Sequence, residues 1–355
     1  MRSRKVALAL AIAAAGCSNG TGTDTGPGED PDDPPVAGDP DAAAPEPVRF
    51  IMMGDVGTGS DDQYKVAEAI KNKCDADGCD FVVLLGDNIY NAGVSSVDDA
   101  QWREKFEQPY GNIELPFYAV LGNHDYGGII GVPPVGVESG GLGNEWNKGP
   151  IEVQYTAKSD KWNMPATHYT MNWGNVGFIM LDTNSILWGD TTNGDQKSWY
   201  STALMEVEGA DWVIQAGHHP YISNGSHGNA GNYEAIELDG VDVDLDAIPV
   251  PIGQVNGEKI KKFFDETVCG TVDLSVSGHD HNRQWLDEPG ALCGAEMIVN
   301  GAGAKVKDFE PRGNEFHWQD ADTEGFLYVH VEGNVMTGQF INKNGTVDYE
   351  RTLTK

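Results

Sequence analysis

The 355-residue sequence carries 23 Lys and Arg against 55 Asp and Glu, a net charge of −32, with 39% hydrophobic residues and nine Trp. That apolar content excludes disorder of the whole chain, because a domain of about 300 residues buries roughly 75% of its unfolded surface. The charge repels polyphosphate backbones and excludes general nucleic-acid binding. An anionic substrate would need a strong local positive charge, and with so few bases that points to bound metal.

In chain order, Met1 to Lys5 is basic and Val6 to Ala15 almost wholly apolar, which describes a secretory signal. Ala14-Ala15-Gly16-Cys17 resembles a bacterial lipobox, with Ala14 in place of the usual Leu. Residues 1–17 are therefore expected to be a signal peptide whose Cys17 is lipidated. Residues 18–47 hold eight acids, no base and no aromatic residue. Such a stretch cannot bury enough surface to fold, so it reads as a disordered acidic Pro/Gly-rich linker. The remaining body, 48–355, keeps a net charge of −27. No apolar run reaches the roughly 18 residues of a membrane span. The expectation is an exported protein, a bacterial outer-membrane or cell-surface lipoprotein or a periplasmic or secreted one, touching the membrane only through its lipid and otherwise a monomer. Cys74, Cys79, Cys269 and Cys293 allow three pairings. The favoured one is Cys74–Cys79 across a short turn and Cys269–Cys293 flanking one strand region.

The body repeats one local design. Val48–Met53 leads into Gly54-Asp55, and Phe81–Leu85 into Gly86-Asp87-Asn88-Ile89-Tyr90. Phe117–Leu121 leads into Gly122-Asn123-His124-Asp125, Trp212–Ala216 into Gly217-His218-His219-Pro220, and Leu274–Ser277 into Gly278-His279-Asp280-His281. A sixth run, Val176–Leu181, ends in Asp182-Thr183. These continuous apolar runs read as strands covered on both faces. Helix-like stretches, 61–73, 97–107, 196–208 and 258–267, lie between them and imply an α/β sheet whose ligands gather beyond the carboxyl ends of the strands. Carboxylate, amide, phenol and imidazole donors after five such strands suit iron, manganese or zinc, and are too nitrogen-rich for calcium or magnesium alone.

The order Gly-Asp-x-Gly, Gly-Asp-Asn-x-Tyr, Gly-Asn-His-Asp, Gly-His-x-Pro, Gly-His-Asp-His resembles the calcineurin-like metallophosphoesterases. Tyr90 narrows the resemblance to the small, tartrate-resistant type of purple acid phosphatase, over about residues 48–305. It implies an α/β fold, a four-layer α/β/β/α sandwich of two mixed sheets flanked by helices. It also implies a binuclear centre. Asp55, Asp87, Tyr90 and His281 would hold Fe(III), with Asp87 bridging. Asn123, His218 and His279 would complete a second site for Fe(II), Zn(II) or Mn(II). Gly57 stands where many metallophosphoesterases carry His, a residue that the tartrate-resistant type lacks too. His227 matches a family histidine that handles the leaving group, and His124 sits where it could share that role. His219 reads as pocket wall or support and Asp182 as support, while His168, His317 and His330 read as structural. The loop 127–150 is expected to overhang the pocket, and 239–246 to be a solvated acidic loop.

The implied function is hydrolysis of small phosphomonoesters by a metal-activated water, with a phosphodiesterase or nucleotidase on the same site as the alternative. The anchor is directly testable. Cys17→Ala should move the protein from the membrane fraction to the soluble one, and a mature N-terminus that is unmodified and other than Cys17 would refute the lipid anchor.

Overall fold

Phe81-Val82-Val83-Leu84 offers no polar side chain to either face, so a strand made of it is stable only between two covering layers. The computed structural model, which describes residues 46–128, 140–189, 191–233, 235–238, 241–244 and 256–355, provides both. The leader expected over 1–17 and nearly all of the linker expected over 18–47 lie outside the described residues.

One mixed sheet contains β1 (Val48–Met53), β2 (Phe81–Leu84), β3 (Phe117–Ala119) and β4 (Trp162–Asn163), all parallel. An antiparallel meander of β14 (Gly325–Glu332), β15 (Val335–Asn342) and β16 (Val347–Thr354) extends it beyond β1, giving the order β16-β15-β14-β1-β2-β3-β4. The second sheet runs β13-β11-β12-β10-β7-β6-β5. Its members are β5 (Tyr169–Trp173), β6 (Val176–Met180), β7 (Trp212–Ala216), β10 (Leu274–Ser277), β11 (Arg283–Leu286), β12 (Glu296–Asn300) and β13 (Phe316–Asp320). Within it β6, β7, β10 and β12 are parallel.

The sheets meet through aromatic side chains. Phe50 and Phe81 of the first stack at 5.1 Å and both meet the edge of Phe178 of the second, at 5.3 and 5.6 Å. Alternation along each strand then covers the other face. Phe178 and Met180 join this central core, whereas Ile179 and Leu181 join a second cluster with Tyr200, Ile260 and Phe263 from the helices Gln196–Glu206 and Glu258–Phe263. The result is the expected α/β/β/α sandwich.

The helix expected over 61–73 runs on to Asp77. Ser60 caps it by accepting from the Gln63 amide at 3.3 Å, and Gly78, at φ +82°, ends it. Cys74–Cys79 closes that end, with the Gly78 amide bonded to the Cys74 carbonyl at 3.0 Å, and Cys269–Cys293 is the other disulfide. Residues 97–107, expected as one helix, form a short α turn over Ala100–Trp102 that widens into a π-type turn over Arg103–Glu107. Part of the expected acidic loop is instead a hairpin of β8 (Ala235–Leu238) and β9 (Val241–Asp244). Val241-Asp242-Val243-Asp244 alternates with the period of a strand, a pattern that its acid content obscured. Residues 239, 240, 245 and 246 lie outside the described residues, as do 129–139 of the expected overhanging loop. No described helix is long and apolar enough to cross a membrane.

Phe81 is wholly buried against four other aromatic rings. Phe81→Ala should lower unfolding free energy by about 3–5 kcal/mol, read from the shift of the denaturant midpoint.

Candidate metal centre

Five of the parallel strands, β1, β2, β3, β7 and β10, each lead into one of the motifs. Among the described residues, five that are not glycine have positive φ, and three of them are Asp55 (+61°), Asp87 (+54°) and His279 (+71°). Left-handed backbone is costly for such residues and concentrates at functional sites. Each follows a glycine, and the glycines let the loops close on one another. A Cβ on Gly122 would lie 2.1 Å from Asp87 Oδ1, and one on Gly278 would lie 2.7 Å from Asp55 Oδ2.

All seven ligand positions expected from the sequence converge, and none is more than 7% exposed. They form two adjoining groups. In the first, the Tyr90 hydroxyl lies 2.8 Å from Asp55 Oδ1 and 3.2 Å from His281 Nε2, which is itself 3.2 Å from Asp55 Oδ1. In the second, His218 Nε2 lies 3.1 Å from Asn123 Oδ1, 3.1 Å from His279 Nδ1 and 3.4 Å from Asp87 Oδ2. Donor atoms of Asp55, Asp87 and His218 all fall within 4.8 Å of one another and join the groups.

Neighbouring backbone orients these donors. The His279 amide holds Asp55 Oδ2 at 2.8 Å and the His124 amide holds Asp87 Oδ1 at 2.9 Å, so the other oxygen of each carboxylate faces the cluster. His218 donates from Nδ1 to the Leu85 carbonyl at 2.8 Å, and Asn123 donates from its amide nitrogen to the Gly141 carbonyl at 2.6 Å. His218 Nε2 and Asn123 Oδ1 therefore face one another at 3.1 Å, the spacing of two atoms around a shared cation or proton. Such anchoring of the far side of each ligand is the usual support of a metal site. Ligand atoms about 2.1 Å from one ion lie about 3 Å apart, so the observed spacing and the O/N donor set fit a pair of transition-metal ions.

The electrostatics agree. Burial disfavours a charged His218, but Asp87 outweighs it and holds this imidazole up to about 9. Asp55 is pushed up to about 7, chiefly by burial. Asp87 is also buried, yet His218 and His124 hold it well below the ordinary carboxylate range. Burial and the neighbouring His227 keep His279 well below its usual value, in the neutral form that a ligand requires.

The two histidines expected to handle protons border different halves of the cluster. His124 packs on the Tyr90 ring at 4.5 Å, bonds through Nδ1 to the Asn91 carbonyl at 2.6 Å, and lies against Gly141 of the loop 127–150. The described end of that loop therefore borders the site. His227 stacks on His279 at 3.9 Å and bonds through Nδ1 to Asp280 at 2.8 Å. Asp280 turns away from the donors, as its place between two ligands requires, and its bond to His227 overcomes burial to hold it at about 2. His219 is buried beside the cluster, with Nδ1 on Thr183 Oγ1 at 2.9 Å and its ring 4.5 Å from His279. Asp182 caps the short helix Thr183–Trp188, whose Thr183 accepts from the His218 and His219 amides.

Sequence reasoning passed over two supports. Asp125 accepts from the amides of Asn88, Ile89 and Gly122, which locks the Asp87 loop to the Asn123 loop. Glu152, wholly buried on the helix Gly149–Tyr155, accepts from the Asn88 side-chain amide nitrogen, which also donates to Asp125. Burial and its Asp125 neighbour push it well above the usual range, so this pair carries a proton. Asp125 was visible as the last letter of a motif. Nothing local marked Glu152.

A family model described as calcineurin-like phosphoesterase matches residues 48–283. The chain is 24% identical over 353 residues to tartrate-resistant acid phosphatase type 5 of Homo sapiens, covering 89% of this chain and 93% of that relative. It is 28% identical over 304 residues to purple acid phosphatase 3 of Arabidopsis thaliana, covering 80% and 71%. Two solved structures share the fold. One, described as "GAP50 the anchor in the inner membrane complex of Plasmodium", has a TM-score of 0.61 at 21% identity, covering 87% of this chain and 89% of that one. The other, described as "Structure of PhoD", has a TM-score of 0.53 at 13% identity, covering 87% and 68%.

Because a Cβ at position 122 would strike Asp87, Gly122→Ala should displace that carboxylate while leaving the sheets intact. Metal content should fall and turnover should drop about 100-fold, with far-UV circular dichroism unchanged. Wild-type metal content and turnover in this variant would show that the close approach is unimportant.

Proposed function

We propose that this chain, which belongs to the calcineurin-like phosphoesterase family, hydrolyses phosphomonoesters at a binuclear metal centre of the purple acid phosphatase kind. It is a metal-dependent hydrolase; the monoester preference, the ligand roles and the metals are the proposal. The observation that carries it is the packing of seven buried donors into two adjoining groups, Asp55–Tyr90–His281 and Asp87–Asn123–His218–His279.

In this reading Asp55, Asp87, Tyr90 and His281 would hold the first ion, and Asp87, Asn123, His218 and His279 the second. A phenolate oxygen is a hard donor that suits Fe(III), and imidazole with amide and carboxylate suits Fe(II), Zn(II) or Mn(II). When bound, such a pair neutralises the phosphate and activates the attacking water. The chain itself supplies orientation and protons. His227, held at Nδ1 by Asp280, presents Nε2 on the opposite side of its ring. His124, held at Nδ1 by the Asn91 carbonyl, likewise presents Nε2. A proton delivered from either to the departing alkoxide is worth typically about 10²–10⁴-fold.

The test joins metal analysis with a visible spectrum and turnover of an aryl phosphate monoester against its bis-ester. The expected result is a pair of ions per chain, a broad visible band and faster turnover of the monoester. Tyr90→Phe should abolish the band in a folded protein. A colourless, fully active protein holding only zinc or manganese would overturn the Fe(III)–phenolate site. Turnover of the bis-ester equal to or above that of the monoester would replace the monoesterase with a phosphodiesterase.

A further inference from the structure

Beyond the seven donors, Lys305 brings a cation to the same place. Lys305 lies in the segment that follows β12, and its ammonium sits 3.7 Å from the centroid of the Tyr90 ring. The Tyr90 hydroxyl in turn lies on Asp55 and His281.

The backbone around Lys305 is fixed to the site on both sides. Two residues before it, the Gly303 amide bonds to the Gly54 carbonyl at 3.0 Å, next to Asp55. Two residues after it, the Lys307 amide bonds to the carbonyl of His281 at 2.7 Å. The approach needs glycine, because a Cβ on Gly303 would lie 2.5 Å from the Gly54 carbonyl oxygen. Lys305 is thus held between the loops that carry Asp55 and His281, and it is only partly buried. In a chain with 23 bases against 55 acids, a lysine fixed at this point is unlike a solvated surface charge.

Resting on the function proposed above, we infer that Lys305 is a substrate-binding residue that recognises the dianionic phosphate group of a monoester or of inorganic phosphate. A monoester phosphate has three terminal oxygens and a diester only two. With two oxygens directed to a pair of ions, the third oxygen of a monoester needs another cationic donor, and an ammonium is a compact charge suited to it. Lys305 therefore favours monoesters over diesters.

The experiment titrates inorganic phosphate into the metal-loaded full chain by calorimetry and measures metal content alongside. Lys305→Met keeps the side-chain length and removes the charge. It should weaken phosphate binding by about 10- to 100-fold with metal content unchanged, and Lys305→Arg should restore most of the affinity. The preference for monoester over bis-ester turnover should fall in Lys305→Met by a similar factor. Lys305→Gln serves as a second uncharged variant should the first fold poorly. Wild-type phosphate affinity in a folded, metal-loaded uncharged variant overturns the inference and leaves the metallophosphatase reading intact. Loss of metal from the uncharged variants also overturns it, since Lys305 would then support the ligands instead of the substrate. A wild-type chain that takes up no metal pair overturns the function itself, and the inference falls with it.

Discussion

Asp55 and Asp87 are both buried, and their carboxylates face one another across a few ångströms. Two like charges in so dry a place are strongly disfavoured unless a cation or a proton stands beside them. The titration of the cluster reflects this demand, with His218 and Asp55 raised and Asp87 depressed. A pair of multivalent ions answers the same demand more completely. Much of the surrounding architecture serves this one demand. The backbone amides turn one oxygen of each carboxylate away from the cluster, and the carbonyls of Leu85 and Gly141 fix the facing donors.

Holding acids together requires a frame that does not relax. The aromatic seam around Phe50, Phe81 and Phe178 binds the two sheets, so the loops after β1, β2 and β3 meet those after β7 and β10 at one end of the sandwich. Left-handed turns at Asp55, Asp87 and His279 persist because packing on every side over-determines them. Asp125 and Glu152 extend the same logic. A buried pair that shares a proton ties two ligand loops to the helix Gly149–Tyr155 without adding another negative charge next to Asp87.

The acidity of the chain gives its cations meaning. A surface with this balance repels phosphate esters at long range, so binding must be won close to the site. In the proposed function a pair of ions would supply most of that attraction. In the proposed role the lysine held on the Tyr90 ring would add a point charge for the third terminal oxygen of a monoester.

What the sequence determined by itself was local. An apolar run, a glycine and a donor in succession describe a strand, a sharp turn and a ligand, and all seven donors expected on those grounds and by family resemblance lie in one cluster. The strands β1, β2, β3, β6, β7 and β10 follow the same runs, because their burial on both faces is written in consecutive residues. The meander β14–β16 was not legible. Val347–Thr354 alternates between exposed and half-buried positions, and its neighbours give no hint that β14 pairs with β1, far away in sequence. The tertiary structure alone decided which donors share a group, since the bond from the His279 amide to Asp55 spans 224 positions. It alone brought Glu152 beneath the Asp87 loop and Lys305 onto Tyr90. A glutamate on a helix and a lysine in a loop look like ordinary solvated charges until folding surrounds them, because their energies depend on neighbours that sequence proximity does not supply.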